Sequence, residues 1–304
     1  MPAPIVLFVY CRPQHTRSTI QSLLQNAESA ESELIIYSDA PRTAAAAPQV
    51  QQVREYCRGL EGFKAVRVIE SQRNLGLAGS IIRGVTEALE QYQQVIVLED
   101  DLVLSPWFLR YMNAGLETYR DDELVASIHG YCYPVRQPLP ATFFLRGADC
   151  WGWGVWRRSW QLFQADGAVL LQQLESRKLT HEFDLGGAMG FTQMLRDQIA
   201  GRNDSWAVRW HASCFLAGRL TLYPGSSLVC NAGLDGSGVH CGPDESLVAA
   251  VARSPVEVQR QVAREDGRSR EIIARHLGGS RQRRSWRDWL KSGLLFLGER
   301  LRNH

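Results

Sequence analysis

The sequence lacks the features of a membrane-spanning or disulfide-stabilised chain. No apolar run approaches the roughly 20 residues that are needed to cross a bilayer. The seven cysteines are scattered and form no Cys-x-x-Cys pair, which disfavours a zinc site and a disulfide framework. No basic segment precedes the first apolar run, so we expect a first strand there and not a signal peptide. These absences predict a cytoplasmic protein.

The sequence also lacks a large net charge, which is +2 over 304 residues. Residues 253–304 nevertheless carry thirteen Lys/Arg and six Asp/Glu, so this tail has a net charge of +7 and the preceding residues have −5. A basic tail on a mildly acidic body predicts contact with anionic lipid or another partner, and it does not indicate a nucleic-acid-binding core. Apolar residues between Trp286 and Leu301 recur at helical spacing. They predict an amphipathic helix that lies at the inner face of a membrane or docks on protein.

The most informative segment that is present runs from Gln94 to Leu104. It begins with four apolar, mostly β-branched residues, which predict a strand buried on both faces. The strand ends in three adjacent carboxylates, those of Glu99, Asp100 and Asp101. Because neighbouring acids repel one another, we expect a cation or the donors of a ligand to hold them in place.

Four predicted strands alternate with three predicted helices between residues 5 and 99. This alternation predicts parallel βαβ units with right-handed crossovers. Polar residues follow each strand, and parallel topology brings the ends of the strands to one edge of the sheet. These residues are Arg12, Asp39, Arg73 with Asn74, and Glu99 to Asp101. We therefore predict an α/β fold with a mostly parallel central sheet flanked by helices, and a ligand site at this edge.

These segments resemble GT-A-fold glycosyltransferases. Residues 95–108 (VIVLEDDLVLSPWF) resemble their metal-binding strand, in the variant found in N-acetylglucosaminyltransferase I and its O-mannose relatives. Residues 10–13 (YCRP) and 38–39 (SD) resemble the turns after the first two strands. Residues 73–76 (RNLG), with Gly84, resemble a helix start of family 2 glycosyltransferases. The resemblance covers roughly residues 4–242 and implies a GT-A, Rossmann-like fold.

The resemblance also implies roles for individual residues on the donor side. Asp101 would contact Mn²⁺ or Mg²⁺, a cation that stabilises the charge developing on a leaving diphosphate. His240, in the glycine-rich loop 231–242, would be a further ligand of the metal or diphosphate. Arg12 would contact the nucleotide base or phosphate, and Asp39 the base or ribose. The full predicted donor-binding set is Arg12, Asp39, Arg73, Asn74, Glu99 and Asp100.

An inverting transfer also needs a base that removes the proton of the acceptor hydroxyl. The candidate is Asp204, just before a predicted helix; the alternative is that Asp204 or Ser205 caps this helix. Asp149 and Asp184 are rival candidates for the base. The predicted acceptor-binding residues are Trp151, Gly152 and Trp153. The indole faces of the two tryptophans would pack on a sugar ring, with the glycine leaving the backbone room to approach. The alternative is that the tryptophans belong to a buried aromatic core.

We therefore expect a metal-dependent, inverting glycosyltransferase that acts in polysaccharide biosynthesis. It would move a hexosyl or N-acetylhexosaminyl group from a UDP-linked donor to a hydroxyl of a saccharide or glycolipid. Residues 1–252 would form the catalytic domain, with a nucleotide-binding half (1–104) and an acceptor half (105–252), and residues 253–304 a basic extension. A sugar-1-phosphate nucleotidylyltransferase is disfavoured, because no glycine-rich basic loop follows the first strand. An inactive sugar-binding or membrane-docked scaffold of the same fold remains the alternative.

Overall fold

The computed structural model describes residues 2–235 and 247–279. Within these ranges the strands are β1 (Ile5–Val9), β2 (Glu33–Ser38), β3 (Ala65–Glu70), β4 (Gln94–Glu99), β5 (Leu102–Leu104), β6 (Val125–His129), β7 (Thr142–Arg146), β8 (Trp153–Trp156), β9 (Leu220–Pro224) and β10 (Val229–Asn231). The α-helices are α1 (Pro13–Leu24), α2 (Ala47–Arg58), α3 (Gly76–Gln91), α4 (Phe108–Thr118), α5 (Arg157–Trp160), α6 (Gly167–Ser176), α7 (Thr180–Phe183), α8 (Phe191–Ile199), α9 (Trp206–Leu216) and α10 (267–279). Short 3-10 helices cover Ala27–Glu31, Ala44–Ala46 and Ala232–Asp235.

The first four long strands form the parallel half of the sheet, in the order β3-β2-β1-β4. Residues along β1 and β4 point alternately to two hydrophobic layers, so both strands are buried on both faces. Helices α1, α2 and α4 contribute to one layer, and α3 and α9 to the other. The predicted mostly parallel sheet with flanking helices is confirmed, and its carboxyl-terminal edge gathers the four strand ends.

Strand β8 extends this sheet beyond β4 in the antiparallel direction, with Trp153 opposite Val97. The full order is β3-β2-β1-β4-β8-β6-β9-β7. Sequence reasoning did not predict β8, because its four residues are two tryptophans on either side of a glycine and a valine and carry no simple strand signature. Since β8 runs against β4, the chain enters β8 at the same edge of the sheet at which β4 ends.

A second, two-stranded sheet pairs β5 with β10, with Asn231 opposite Leu102. The N–H of Ala232 then donates to the carbonyl oxygen of Asp101 at 2.8 Å. This pairing brings a segment from late in the chain against the acidic end of β4.

The described part of the predicted basic extension packs on the rest of the molecule. Residue Glu265 forms a β-bridge with Phe144 at the edge of the sheet. From α10, Ile273 and Leu277 are buried in a cluster with Tyr223. Residues 253–279 therefore pack against the sheet, and the domain boundary at 252 stays a prediction. The predicted helix between Trp286 and Leu301 lies outside the described residues, and among those described no helix is long and apolar enough to cross a membrane.

Candidate functional site

Asp100 connects the end of β4 with the end of β1 and with α1, through its carboxylate and its backbone carbonyl. Its side chain is 3% exposed, and Oδ2 accepts the backbone N–H of Tyr10 at 3.2 Å. Oδ1 accepts from the guanidinium of Arg12, and the backbone carbonyl accepts from the Thr19 hydroxyl at 2.9 Å. Because these partners come from the end of β1 and from α1, Asp100 fixes the geometry of the strand ends.

The guanidinium of Arg12 bridges the two aspartates. One nitrogen binds Asp100, and Nη1 lies 3.0 Å from Oδ2 of Asp101. Burial by itself lowers the pKa of Arg12, but the two carboxylates outweigh it and raise this pKa above its ordinary value. Arg12 is therefore a permanent cation at the centre of the site.

A tight corner after β10 packs against the carboxylate of Asp101. The Gly233 N–H donates to Oδ1 of Asn231 at 2.8 Å, and Asn231 is 6% exposed. A Cβ built on Gly233 would overlap with Oδ2 of Asp101 and lie 3.1 Å from Oδ1 of Asn231. Only glycine leaves room for the Asp101 carboxylate at this position.

The carboxylates at the tip of β4 carry more negative charge than Arg12 can neutralise. Burial, followed by the charges of Asp101 and Asp100, raises the pKa of Glu99 to about 8. Burial also raises the pKa of Asp100, although Arg12 opposes this effect. An additional cation beside these side chains would relieve the repulsion.

The residues at this tip fit a divalent cation that is shared with a phosphorylated ligand. Among the described residues, no group of three or more His, Cys, Asp or Glu side chains could hold a metal ion by itself. Magnesium-type ions bound with substrate phosphates, however, commonly use only one or two carboxylates and retain several waters. Asp101, with its oxygen donors at the edge of the site, suits that arrangement.

Asp39 and Asn74 form a second corner, at the ends of β2 and β3. The Asp39 carboxylate accepts the backbone N–H groups of Leu75 and Gly76, each at 2.9 Å, and the side-chain amide of Asn74 at 2.9 Å. Asp39 thus holds the turn that starts α3, where Gly76 has a φ of +69°. Arg73 precedes this turn and is exposed.

The aromatic segment before and within β8 divides into one accessible residue and two buried ones. Trp151 is partly exposed and meets Tyr131 edge to face at 4.7 Å. Trp153 is 1% exposed and stacks on Trp206 at 5.4 Å. Gly152 has a φ of +69°, and a Cβ there would lie 2.9 Å from Val229. Packing accounts for Gly152 and Trp153, which are buried, whereas Trp151 is partly exposed. The acceptor-binding roles of the three residues stay predictions.

The three aspartates proposed as the base differ in how their oxygens are used. Asp149 accepts from the Tyr133 hydroxyl at 3.0 Å and from the Cys150 N–H at 2.8 Å. Asp184 accepts the Thr192 N–H at 2.7 Å, near the start of α8. The Asp204 side chain is 64% exposed and has a long ion pair of 3.4 Å with Arg209.

Ser205, and not Asp204, caps α9, since its hydroxyl oxygen accepts the Val208 N–H at 3.2 Å. The next residue, Trp206, packs on Trp153 in β8, which places the start of α9 on the side of the sheet where β8 joins β4. Asp204 is therefore an accessible carboxylate that is not needed for the cap.

Comparison with family models identifies the chain. The model described as glycosyl transferase family 2 matches residues 5–181, more than half of the sequence. The chain belongs to glycosyl transferase family 2. The match includes the tip of β4 and the corners at Arg12, Asp39 and Asn74. The predicted GT-A fold is confirmed by this membership and by the sheet described above.

Several solved structures are similar to parts of this family 2 chain. TarS of S. aureus is 15% identical, with 49% of this chain and 25% of that chain covered and a TM-score of 0.34. The mannosyltransferase PcManGT of Pyrobaculum calidifontis, solved with GDP-Man and Mn²⁺, is 16% identical, with coverages of 42% and 36% and a TM-score of 0.30. Glucosyl-3-phosphoglycerate synthase of Mycobacterium tuberculosis, solved with Mn²⁺, UDP and phosphoglyceric acid, is 13% identical, with coverages of 59% and 66% and a TM-score of 0.33. The family 2 chain thus spans well under half the length of the first two. A comparison with curated proteins finds no match.

Sequence reasoning missed several residues of the site in the family 2 chain. His129, at the end of β6, is fully buried, and its Nε2 accepts the Trp151 N–H at 3.1 Å. Asn231 and Gly233 reach Asp101 only through the pairing of β5 with β10. The glycine-rich loop 231–242 was noted from the sequence, but no local pattern distinguishes Asn231 or Gly233 within it or marks His129, so only the fold reveals their positions. The predicted metal ligand His240 lies outside the described residues.

Proposed function

We propose that this chain is a metal-dependent, inverting glycosyltransferase. It moves a hexosyl or N-acetylhexosaminyl group from a UDP-linked donor to a hydroxyl of a saccharide or glycolipid. The observation that carries the proposal is the carboxylate of Asp101. It lies at the end of a central strand, between Arg12 and the Gly233 corner, in a chain that belongs to glycosyl transferase family 2.

On the donor side, Asp101 holds Mn²⁺ or Mg²⁺ together with the diphosphate. The cation supplies Lewis-acid stabilisation of the charge that develops on the leaving nucleotide. Arg12 adds a planar cationic donor for phosphate or base. Asp39 and Asn74 keep the turn before α3 in place. The Asp39 carboxylate is itself an anion at the N-terminus of α3, where negative charge is favoured.

On the acceptor side, Asp204 accepts the proton of the attacking hydroxyl. A base within hydrogen-bond reach of that hydroxyl is needed for a single inverting displacement. Asp149 and Asp184 accept shorter hydrogen bonds within the protein, whereas Asp204 is 64% exposed and its contact with Arg209 is long, at 3.4 Å. Asp204 is therefore the better candidate. Trp151 offers a partly exposed aromatic side chain to the sugar that carries the hydroxyl.

Cleavage of nucleotide sugars tests this proposal. Thermal unfolding with UDP-, GDP- and dTDP-sugars, with and without Mn²⁺, would identify the donor, since a ligand at a hundredfold excess over Kd adds about 2.7 kcal/mol of stability. The release of nucleotide is then measured for wild type and for Asp101→Asn. We expect the variant to lose at least about tenfold in Mn²⁺-dependent cleavage.

Asp121→Asn is the matched control, because Asp121 is an exposed acid away from the site. It should cleave the donor as fast as wild type. Donor binding without any cleavage would instead support the inactive sugar-binding alternative. Cleavage that does not depend on Mn²⁺ or on Asp101 would contradict the metal-dependent mechanism.

A further inference from the structure

The two bonds of the Arg12 guanidinium lie in different surroundings. The Asp100 partner is 3% exposed and has further bonds to Tyr10 and Thr19. The Asp101 side chain is 12% exposed, and its Oδ2 lies between Arg12 and Gly233. The bond to Asp100 is therefore the anchored one, and the bond to Asp101 is the one that a ligand can reach.

Asp101 cannot easily give up this bond by moving away. Gly233 fills the space on the other side of its carboxylate, and the Asp101 carbonyl is fixed by the N–H of Ala232 at 2.8 Å. A cation that binds Oδ2 of Asp101 must therefore compete with Nη1 of Arg12, and a cation at either carboxylate oxygen meets the positive charge of Arg12. A charge-assisted hydrogen bond that must be broken and a nearby like charge each weaken binding, and together they lower affinity by about tenfold or more.

We propose that Arg12 is a placeholder cation: its guanidinium occupies the cation position beside Asp101 and weakens the binding of metal by Asp101 in the absence of nucleotide. Without ligand, Arg12 neutralises Asp101. When a nucleoside diphosphate arrives with its metal, Arg12 keeps its bond to Asp100 and turns Nη1 from Asp101 to the diphosphate. This frees the Asp101 oxygen for the metal. The site thus binds the metal and the diphosphate together and discriminates against metal alone.

This inference rests on the proposed function, because it assumes that the metal and diphosphate share the Asp101 site. Arg12 is then a positioning residue, since it controls which group Asp101 can bind. No covalent step is involved. Asp100 keeps its ion pair with Arg12, Asp101 exchanges Arg12 for the metal, and Arg12 gains an ion pair with the diphosphate.

Two binding measurements with opposite expected signs test the inference. Mn²⁺ alone is titrated by the electron paramagnetic resonance signal of the free ion, and UDP is titrated calorimetrically at saturating Mn²⁺. For Arg12→Gln we expect Mn²⁺ alone to bind about tenfold more tightly than in wild type and UDP to bind about tenfold more weakly. A merely structural role of Arg12 would weaken both.

Two further variants make the result interpretable. Arg17→Gln removes the same charge from α1, but its guanidinium lies over the Tyr56 ring at 4.9 Å and away from the acids; both affinities should stay within about twofold of wild type. Arg12→Lys keeps the charge but cannot bridge both aspartates. Arg12→Lys should tighten the binding of Mn²⁺ alone by a smaller factor, about threefold. If Arg12→Gln does not fold, the Mn²⁺ affinity of Arg12→Lys tests the placeholder role.

The outcomes separate the inference from the function on which it rests. If Arg12→Gln and Arg12→Lys leave the affinity for Mn²⁺ alone unchanged or lower it, while wild type still binds UDP with Mn²⁺, the placeholder role is overturned and the proposed function stands. If wild type binds Mn²⁺ as tightly without UDP as with it, the placeholder role is also overturned. If UDP, GDP and dTDP all fail to bind with Mn²⁺, both proposals fail.

Discussion

Replacing Gly233 by alanine should disrupt the proposed metal site on the side opposite Arg12, without removing any charged group. The added methyl would overlap with Oδ2 of Asp101 and press on Oδ1 of Asn231 at 3.1 Å. Neither neighbour can retreat freely. Asn231 is buried and accepts the Gly233 N–H, and Asp101 is held on its other side by Arg12.

The size of the effect follows from these contacts. Forcing a methyl into a filled space costs about 1–3 kcal/mol of folding free energy. A carboxylate that is displaced from its position by a supporting residue loses about tenfold to a hundredfold in metal affinity. We therefore expect a modest loss of stability and a large loss of Mn²⁺-dependent UDP binding in the same variant.

Urea unfolding measures the first quantity, and calorimetric titration of UDP with saturating Mn²⁺ measures the second. Gly267→Ala, at the start of α10, is the matched control, because a Cβ there would meet nothing within 4 Å. It should leave both quantities near the wild-type values. If Gly233→Ala binds UDP with Mn²⁺ as tightly as wild type, Asp101 is not held against this corner and the description of the site is wrong.

Three further predictions address the base, the aromatic segment and Glu99. Asp204→Asn should lower the rate of transfer by about 10²–10⁴-fold and leave the affinity for UDP unchanged. An equal loss of rate in Asp184→Asn, with helix content unchanged by circular dichroism, would indicate that Asp184 is the base instead. Trp153→Ala should lower the free energy of unfolding in urea by about 3–5 kcal/mol. Trp151→Ala should reduce transfer to the acceptor without changing donor hydrolysis. The reverse pattern would contradict the burial of the two side chains described here. In the folded protein the pKa of Glu99 is raised to about 8. Above about pH 4.5 the folded state therefore retains a proton that the unfolded state has lost. The free energy of unfolding falls as the pH rises from about 4.5 to about 8. Relative to Glu99→Gln, metal-free wild type should therefore lose about 1–2 kcal/mol between pH 6.8 and 8, and parallel pH profiles of the two proteins would refute this.

The sequence by itself determined the first half of the fold and the position of the acidic site. The buried strands β1 to β4 and the helices between them are encoded by local hydrophobic patterns, and their alternation dictates parallel pairing. Parallel pairing in turn requires that Arg12 and the carboxylates after β4 lie at the same edge. The structure shows these groups in direct contact.

The tertiary structure alone decided which aromatic and small residues lie at the candidate site and which are buried in the core. Trp151 and Trp153 have the same sequence environment, but only the pairing of β8 with β4 buries Trp153. Gly233 lies more than a hundred residues from Asp101, and it reaches the carboxylate because β10 pairs with β5. Local patterns report propensity and amphipathic spacing, whereas these assignments depend on contacts between distant segments, which are formed only when the chain has folded.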